Sequence, residues 1–425
     1  MLFRDFIERL DKEGKLVKIS KPVSTKYEIA SVMKKLDGQP ILFENVQGFG
    51  YKVAANVISS RDLLAEGIGA RKEDMIRIIA NAIETPKQPK AVKGDYHEIP
   101  CDLTKLPILT YYKEDGGPYI ASAVVVAKDK EHGINSSFHR MMVLSKNELV
   151  FRILPRHLDQ YLQRGLKKFA IGIGNPTQVL LASAISAELG KSELSIANAL
   201  AETNIVEIDG LPAPESEFIM IAEATGRTAK EGPFLDLTET PDIIREQGVF
   251  RITKIFARQD ALFHALLPGG FEHKILMGLP REPTIFREVN KVCACRNVLI
   301  TPGGCSWLHG VVQIEKKGPD DGKKAIEAAF RGHPSMKHVI VVDEDIDIYN
   351  PNDVEWAIAT RFQADNDAVI KQKEKGSSLD PSSNLQTRET TKVGMDATIP
   401  WDKKKSDFKR LEPSFKVDLK NYPSR

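Results

Sequence analysis

At 425 residues with 42% apolar side chains, the chain can build about two to four domains with real cores, which excludes wholesale disorder. Sixty Lys and Arg against 58 Asp and Glu leave a net charge of only +2, so no global field selects nucleic acid or an anionic membrane as partner. The longest apolar runs, such as that around Leu180, fall short of the roughly 20 residues that span a bilayer. A small or locally charged ligand is expected instead.

The chain opens on apolar residues at helical spacing from Leu2 to Leu16, broken by Gly14, and then alternates like a strand over Leu16–Ser20. This text reads as an amphipathic helix, not an export leader, so a cytoplasmic location is expected. Helices are predicted over Ser24–Leu36 and Arg61–Ile83, with strands at Pro40–Phe43 and Tyr51–Asn56. Together they form an expected N-terminal α/β subdomain, 1–95, ending near the Pro- and Lys-rich stretch Pro86–Lys93.

From Tyr96 the texture changes to short β-rich runs punctuated by Gly, Pro and Asn, with one helical insert at Val179–Glu188. That pattern predicts a barrel or curled sheet over 96–287. An α/β region follows over 288–370, with helices at Gly322–Arg331 and Asn352–Arg361 whose apolar faces suit subunit association or packing within the subunit. The remainder, 371–425, reads as a polar tail in which Lys392-Val-Gly-Met-Asp-Ala-Thr398 is an unexpectedly compact motif.

Cys101, Cys293, Cys295 and Cys305 are too few for a disulfide framework, and no second pair completes a four-ligand metal site around Cys293 and Cys295. Reduced thiols are expected. Gly172-Ile-Gly174 and Thr225–Lys230 lack the spacing of a dinucleotide fingerprint or a phosphate-binding loop, and read as turns. What remains is a set of polar residues in apolar strands. Asn135 and Arg140 bracket Ser136-Ser137-Phe138-His139, and a guanidinium entering a strand wall must be paired or face a ligand. His157 follows Arg156 at the end of another strand, where a structural histidine is the commoner outcome. Glu217 and Glu223 share one face of a strand if it stays regular. Asn, His and Glu donors suit Mn²⁺ or Mg²⁺ better than zinc. Glu231-Gly-Pro-Phe234 reads as a tight turn, and Pro268-Gly-Gly-Phe-Glu272-His273 places an acid beside two permissive glycines.

In this combination and order the chain resembles the UbiD family of decarboxylases, which use prenylated FMN. The resemblance is carried by Leu2–Ile19, Asp115-Gly-Gly-Pro-Tyr119, Asn135 and Arg140, His157, Glu231–Phe234, Val341-Val-Asp343, Trp356–Arg361 and Lys392–Thr398. It implies a mixed α/β and α+β chain. Its parts would be an N-terminal subdomain, a central FMN-binding split β-barrel, a C-terminal α/β oligomerisation domain and a tail returning to the cofactor. It further implies a flavin whose phosphate is held through Mn²⁺ or Mg²⁺ and a potassium ion. The implied metal ligands are Asn135, His157 and a glutamate, Glu223 favoured over Glu217. Ser136, Ser137, Phe138, His139, Arg140, Arg156 and Lys392 would line the cofactor.

The implied catalytic centre pairs an arginine with two acids. Arg140 matches the arginine and Glu272 the proton-delivering acid. The other acid has no counterpart where Ala265–Pro268 is apolar, and His264 or His273 is the expected substitute. Loss of CO₂ from an sp² carbon needs an electron sink that side chains cannot supply, which is why such a chain would need the modified flavin. The signature Pro268–Thr284 is most like the archaeal branch, whose implied reaction converts trans-anhydromevalonate 5-phosphate to isopentenyl phosphate. Arg152, Arg156, Lys274 and Arg281 are then candidates for the substrate phosphate. An aromatic-acid decarboxylase of the 4-hydroxybenzoate type and a non-catalytic flavin-binding partner are the alternatives. A flavin prenyltransferase would supply the cofactor, and a homo-oligomer, dimer or hexamer, is expected.

Overall fold

The computed structural model describes residues 1–384, 386–411 and 417–418. Helix Phe3–Lys12 forms as its sequence dictates. Phe3, Phe6, Ile7 and Leu10 fall on one face and are buried, and the Leu2 N–H donates to Asp5 Oδ2 at 2.9 Å in the first turn. Gly14 then takes a left-handed φ of 68°, which ends the helix. The expected helix Arg61–Ile83 is two helices, Arg61–Gly67 and Met75–Glu84, the first capped by the Ser60 hydroxyl accepting from the Leu63 N–H. The N-terminal sheet orders Val17–Ile19, Ile41–Phe43 and Lys52–Ala55, and then recruits Leu262–Ala265 from far along the chain. That last strand pairs in parallel with Lys52–Ala55, so His264 stands beside Ala54.

The centre is a nine-stranded sheet built on two long antiparallel strands, Phe218–Glu231 and Arg245–Ala257. Beyond the first lie Lys168–Ile173, Val124–Asp129 and Gly133–Phe138; beyond the second lie Glu148–Phe151, Met141–Val143 and Tyr119–Ile120. The two outermost strands do not pair with each other, so the curled sheet stays open, as a split barrel does. Bulges between Ile221 and Ala222 and between Ala224 and Thr228 break the regular alternation. Neither bulge adds a residue between Glu217 and Glu223, whose strand pairs in unbroken register with Lys168–Ile173, yet the first is buried and the second exposed. The helical insert is also shifted: Thr177–Ser183 and Glu193–Leu200 are the helices, with an irregular stretch between them.

The C-terminal unit is a five-stranded sheet in the order Ala294–Ile300, His309–Glu315, His338–Asp343, Glu389–Asp396, Ala368–Lys375. Ile285, Val289, Ala325, Ile326 and Ala329 of the helices Glu282–Asn290 and Asp321–Gly332 pack into one core; Val354 and Ala357 of helix Pro351–Arg361 pack into another. Its last two strands correct the expected solvated tail, since 368–396 completes this sheet. Part of that expected tail, 412–416 and 419–425, lies outside the described residues. Among the described residues all four cysteines are free, and no helix is long and apolar enough to cross a membrane.

Candidate active site

Arg140 follows the strand Gly133–Phe138 and is drawn into a nest of acids. Its Nε and Nη2 donate to the two oxygens of Glu231 at 2.9 and 3.0 Å, its Nη1 to Asp236 Oδ2 at 2.5 Å, and Nη2 again to Asp242 Oδ2 at 2.9 Å. Phe234 lies under the guanidinium, 4.7 Å from its carbon. Burial opposes the charge on Arg140, but the bond to Glu231 and the fields of Asp236, Glu231 and Asp242 outweigh it and raise its pKa. Asp242 is shared with Arg152 and Arg245, at 2.6 and 2.8 Å, so three cations balance three acids. Those cations hold Asp242 below the ordinary carboxylate range against the upward push of burial.

This nest corrects the expected catalytic pair. Glu231 and Asp236 sit at the two ends of the segment Glu231-Gly-Pro-Phe-Leu-Asp236, which turns around Arg140 and presents one acid to each side of it. Of the two, Glu231 is fully buried, held also by the Tyr119 hydroxyl at 3.2 Å, whereas the Asp236 side chain retains 13% exposure. Glu272 is not among Arg140's partners. It lies fully buried at the start of helix Phe271–Gly278, where its Oε1 meets His264 Nε2 at 3.1 Å and accepts from the Ile58 N–H at 3.2 Å. The second acid that sequence reasoning sought near Ala265–Pro268 was thus in the turn it had read as a bend. Of the two proposed substitutes, His264 is committed to Glu272. His273 accepts from the Gly269 N–H at 3.1 Å and feels both Asp236 and Arg140, with burial pushing its pKa down. Gly269 is required there: its φ is 69°, and a Cβ would lie 3.3 Å from the Asp236 carbonyl and 2.9 Å from Glu239 Cγ.

A second group forms one strand edge away. Asn135 Nδ2 meets both carboxylate oxygens of Glu193, at 3.2 and 3.1 Å, and the Ser136 N–H donates to Glu193 Oε2 at 2.8 Å. The Ser136 and Ser183 hydroxyls are 2.6 Å apart. Glu193 is 2% exposed and no cation pairs with it among the described residues, so burial pushes its carboxyl up to about 7. A buried carboxylate beside a carboxamide fits a hard divalent cation, which would restore the charged form. His157 begins the helix His157–Gln163; burial and then Arg156 lower its pKa, leaving the neutral imidazole that ligation requires. Asn135 and Glu193 are therefore a pair that could hold a hard divalent cation.

Glu223, the expected glutamate ligand, is not near Asn135. It stands opposite Lys168, three strand spacings from the Asn135 strand, roughly 14 Å. Glu217 is also spent elsewhere, bound by Arg4 through Nε at 2.8 Å and Nη2 at 2.6 Å. The signal for Glu193 was present but faint: it opens an apolar helix, Glu193–Leu200, in which Leu194, Ile196 and Ala197 are buried, so an acid at its start had to be buried too.

The remaining expected cofactor residues divide. His139 is half-buried, and desolvation of its ring pushes its pKa down to about 4; its Nδ1 is 3.0 Å from the Arg152 carbonyl and its Nε2 3.0 Å from the Ser137 hydroxyl. Phe138 is half-buried. Arg156 donates to Ser186 Oγ at 3.2 Å, as does Arg281 at 2.9 Å. Lys392 is not carried by a loose tail. It lies on the strand Glu389–Asp396, buried, with its ammonium donating to the Pro334 carbonyl and standing 5.4 Å from the Phe330 ring centre. It still borders this region, since His333 beside it feels both Lys392 and Arg281.

The 3-octaprenyl-4-hydroxybenzoate carboxy-lyase family matches in three parts, its N-terminal domain over residues 7–83, its Rift-related domain over 84–271 and its C-terminal domain over 274–397. The anhydromevalonate phosphate decarboxylase of Methanocaldococcus jannaschii is 45% identical over 402 residues, 91% of this chain and 95% of that one. That of Methanothermobacter thermautotrophicus is 40% identical over 93% of this chain and 96% of that one. Among solved structures, the UbiD-class enzyme HmfF from Pelotomaculum thermopropionicum in complex with FMN superposes with a TM-score of 0.94. It is 34% identical and covers 99% of this chain and all of its own. The mixed fold, the arginine held between two acids and these likenesses agree, and the chain belongs to the UbiD family of decarboxylases.

Proposed function

We propose that this chain decarboxylates trans-anhydromevalonate 5-phosphate to isopentenyl phosphate and CO₂ with prenylated FMN as cofactor. The observation that carries the reading is the Glu231–Arg140–Asp236 array in a chain 45% identical to an anhydromevalonate phosphate decarboxylase over nearly its whole length. Prenylated FMN, when bound, supplies the electron sink that an alkenyl carboxylate needs to lose CO₂. Asn135, His157 and Glu193 would hold its phosphate through Mn²⁺ or Mg²⁺ with a potassium ion alongside, and Lys392 would close the same region from the C-terminal sheet.

The chain's own residues then do three things. Arg140 orients the substrate carboxylate: four of its N–H groups are engaged by Glu231, Asp236 and Asp242, and the remaining one, on Nη1, is the donor left for a ligand. Glu231, buried, fixes the guanidinium plane. Asp236, the more exposed acid, delivers the proton: as the C–C bond to the carboxylate breaks, a C–H bond forms at the same carbon, and the Asp236 carboxylate is reprotonated from solvent. The apolar surroundings of Phe234 and Tyr119 exclude water from this exchange, their rings packed 4.4 Å apart.

Anaerobic incubation of protein made alongside a flavin prenyltransferase and supplied with Mn²⁺ tests this, with CO₂ release as the readout. Release from anhydromevalonate phosphate and not from 4-hydroxybenzoate or gallate is expected. Turnover of the benzoates alone would reject the reading in favour of an aromatic-acid decarboxylase, and no turnover with intact cofactor would leave a non-catalytic flavin protein. A cytoplasmic homo-oligomer, dimer or hexamer, belongs to the same reading.

A further inference from the structure

Residues 115–119, Asp-Gly-Gly-Pro-Tyr, touch both halves of the Arg140 nest. On one side they are fixed to the strand Met141–Val143, which begins immediately after Arg140. The Val143 N–H donates to the Pro118 carbonyl at 2.9 Å, and Tyr119 pairs with Met142 in the antiparallel ladder. On the other side they run along residues 231–236, the turn that carries the two acids. The Gly116 N–H donates to the Pro233 carbonyl at 2.8 Å, the Tyr119 hydroxyl reaches Glu231 and the Tyr119 ring packs on Phe234. The approach at Gly116 is so close that a Cβ there would strike the Gly232 carbonyl oxygen and lie 2.9 Å from Met142 Sδ.

Asp115 is the charged end of this segment. Its Oδ2 accepts from the Tyr112 N–H at 2.9 Å, and its own N–H reaches the Tyr112 carbonyl at 3.2 Å, which closes a short loop. Tyr112 in turn donates its hydroxyl to the Pro268 carbonyl at 3.3 Å, beside the Gly269 that abuts Asp236. Burial raises the Asp115 pKa, and the N–H groups of Tyr112, Leu235 and Tyr111, in that order, act against it. Leu235 precedes Asp236 in the chain, so the Asp115 carboxylate acts on the backbone one residue before the acid that Arg140 meets through Nη1. The turn has little pairing of its own: its ladder is two residues long, Phe234 with Asp242 and Leu235 with Pro241. A proton donor has to be held to within about 0.5 Å of its productive place, and supporting contacts from outside the turn supply that constraint.

We propose that Asp115 and Gly116 are positioning residues that hold residues 231–236 against Arg140 and so place Asp236 for proton delivery. This rests on the reading of Asp236 as the proton donor. Because the same five residues grip the strand that follows the arginine and the turn that carries the acids, they set the spacing between them. Neither Asp115 nor Gly116 is a partner of Arg140, so replacing them removes no group that meets the substrate carboxylate.

Holoenzyme of the native sequence is compared with Asp115→Asn, Asp115→Ala, Gly116→Ala and Asp236→Asn. The readouts are flavin content per chain and kcat and KM for anhydromevalonate phosphate, or for 4-hydroxybenzoate should that be the acid turned over. Asp115→Asn keeps one acceptor for the Tyr112 N–H and Asp115→Ala keeps none. Their kcat should fall by about tenfold and about a hundredfold respectively, as for a donor displaced by about an ångström. KM should stay within about twofold of native, and flavin content should hold, because the groups that bind are untouched. Gly116→Ala, which pushes on the turn directly, should show the same split. Native kcat in Asp115→Ala or in Gly116→Ala overturns the proposal. So does a loss in which KM and flavin content move together with kcat, the mark of general damage to the fold. Should Asp115→Ala not fold, Asp115→Asn carries the same comparison. If Asp236→Asn turns over like the native enzyme, the reading of Asp236 has failed independently. The crystal structure of Asp115→Asn then decides: a turn drawn away from Arg140 upholds the positioning role, and an undisturbed turn removes it.

Discussion

Arg140 binds Glu231 through two parallel hydrogen bonds, at 2.9 and 3.0 Å, and this fork fixes the plane in which the guanidinium meets Asp236 on its other edge. Only Asp236 of the two acids reaches solvent. Asp236→Asn keeps the size of the side chain and removes the proton, so turnover should fall by about 10²–10⁴-fold while KM changes little. The same substitution at Glu272 should cost less, because His264 and Ile58 hold that carboxyl away from Arg140's partners. Steady-state kinetics on both variants checks the order; a larger loss at Glu272 would return the proton-delivering role to it.

Metal binding distinguishes two glutamates. Glu193→Gln should release the divalent ion, leaving less than about a tenth of the native metal content after dialysis, as expected when a carboxylate ligand is replaced by a neutral amide. Glu223→Gln should retain the full content, since that side chain is exposed and roughly 14 Å from Asn135. Elemental analysis of the purified variants gives the answer, and metal lost equally from both would undo the assignment.

How far the sequence could be read follows from these cases. Asn135 and Arg140 were legible because polar residues in an apolar strand demand partners. Glu231 and Asp236 were not recognised as Arg140's partners: they belong to a turn, and which strand wall a turn faces is a tertiary fact. Glu217 and Glu223 were misplaced because even spacing says which face of a strand two residues share, but not that the chain runs from a buried start at Glu217 to an exposed position at Glu223. The stretch Lys371–Lys375 was mistaken for tail because it belongs to an edge strand, with lysines at 373 and 375 turned toward solvent in the way edges avoid unwanted pairing. The buried alternation of Glu389–Asp396 carried the better signal, and it lay within reach of a period-two reading.

The N-terminal and C-terminal units are tied by one buried ion pair. Arg61 Nη2 meets both oxygens of Glu282, at 2.5 and 2.6 Å, and Glu282 also accepts from the Ile300 N–H at 3.1 Å. Arg61→Met leaves a fully buried carboxylate without its cation, which should cost about 3–5 kcal/mol. The double variant Arg61→Met, Glu282→Gln should regain much of that loss. Urea denaturation of the three proteins measures both, and an Arg61→Met variant within 1 kcal/mol of native would show that the pair is not a lock.

His333 sets a stability limit at acid pH. Burial, with Arg281 second, holds its folded pKa down to about 3, and its Nε2 faces the Trp307 carbonyl at 2.9 Å. The unfolded chain takes up this proton near pH 6.5, whereas the folded chain refuses it until about pH 3. Between those values the unfolded state binds more protons, so stability is complete above pH 6.5 and declines as pH falls, by about 1.4 kcal/mol per pH unit from this residue. At pH 5 that amounts to about 2 kcal/mol. His333→Gln offers an amide to the same carbonyl and does not titrate, so its stability should fall less steeply between pH 7 and 5. Urea midpoints at the two pH values provide the comparison. Parallel declines in the two proteins would mean that His333 is protonated as readily in the fold as outside it.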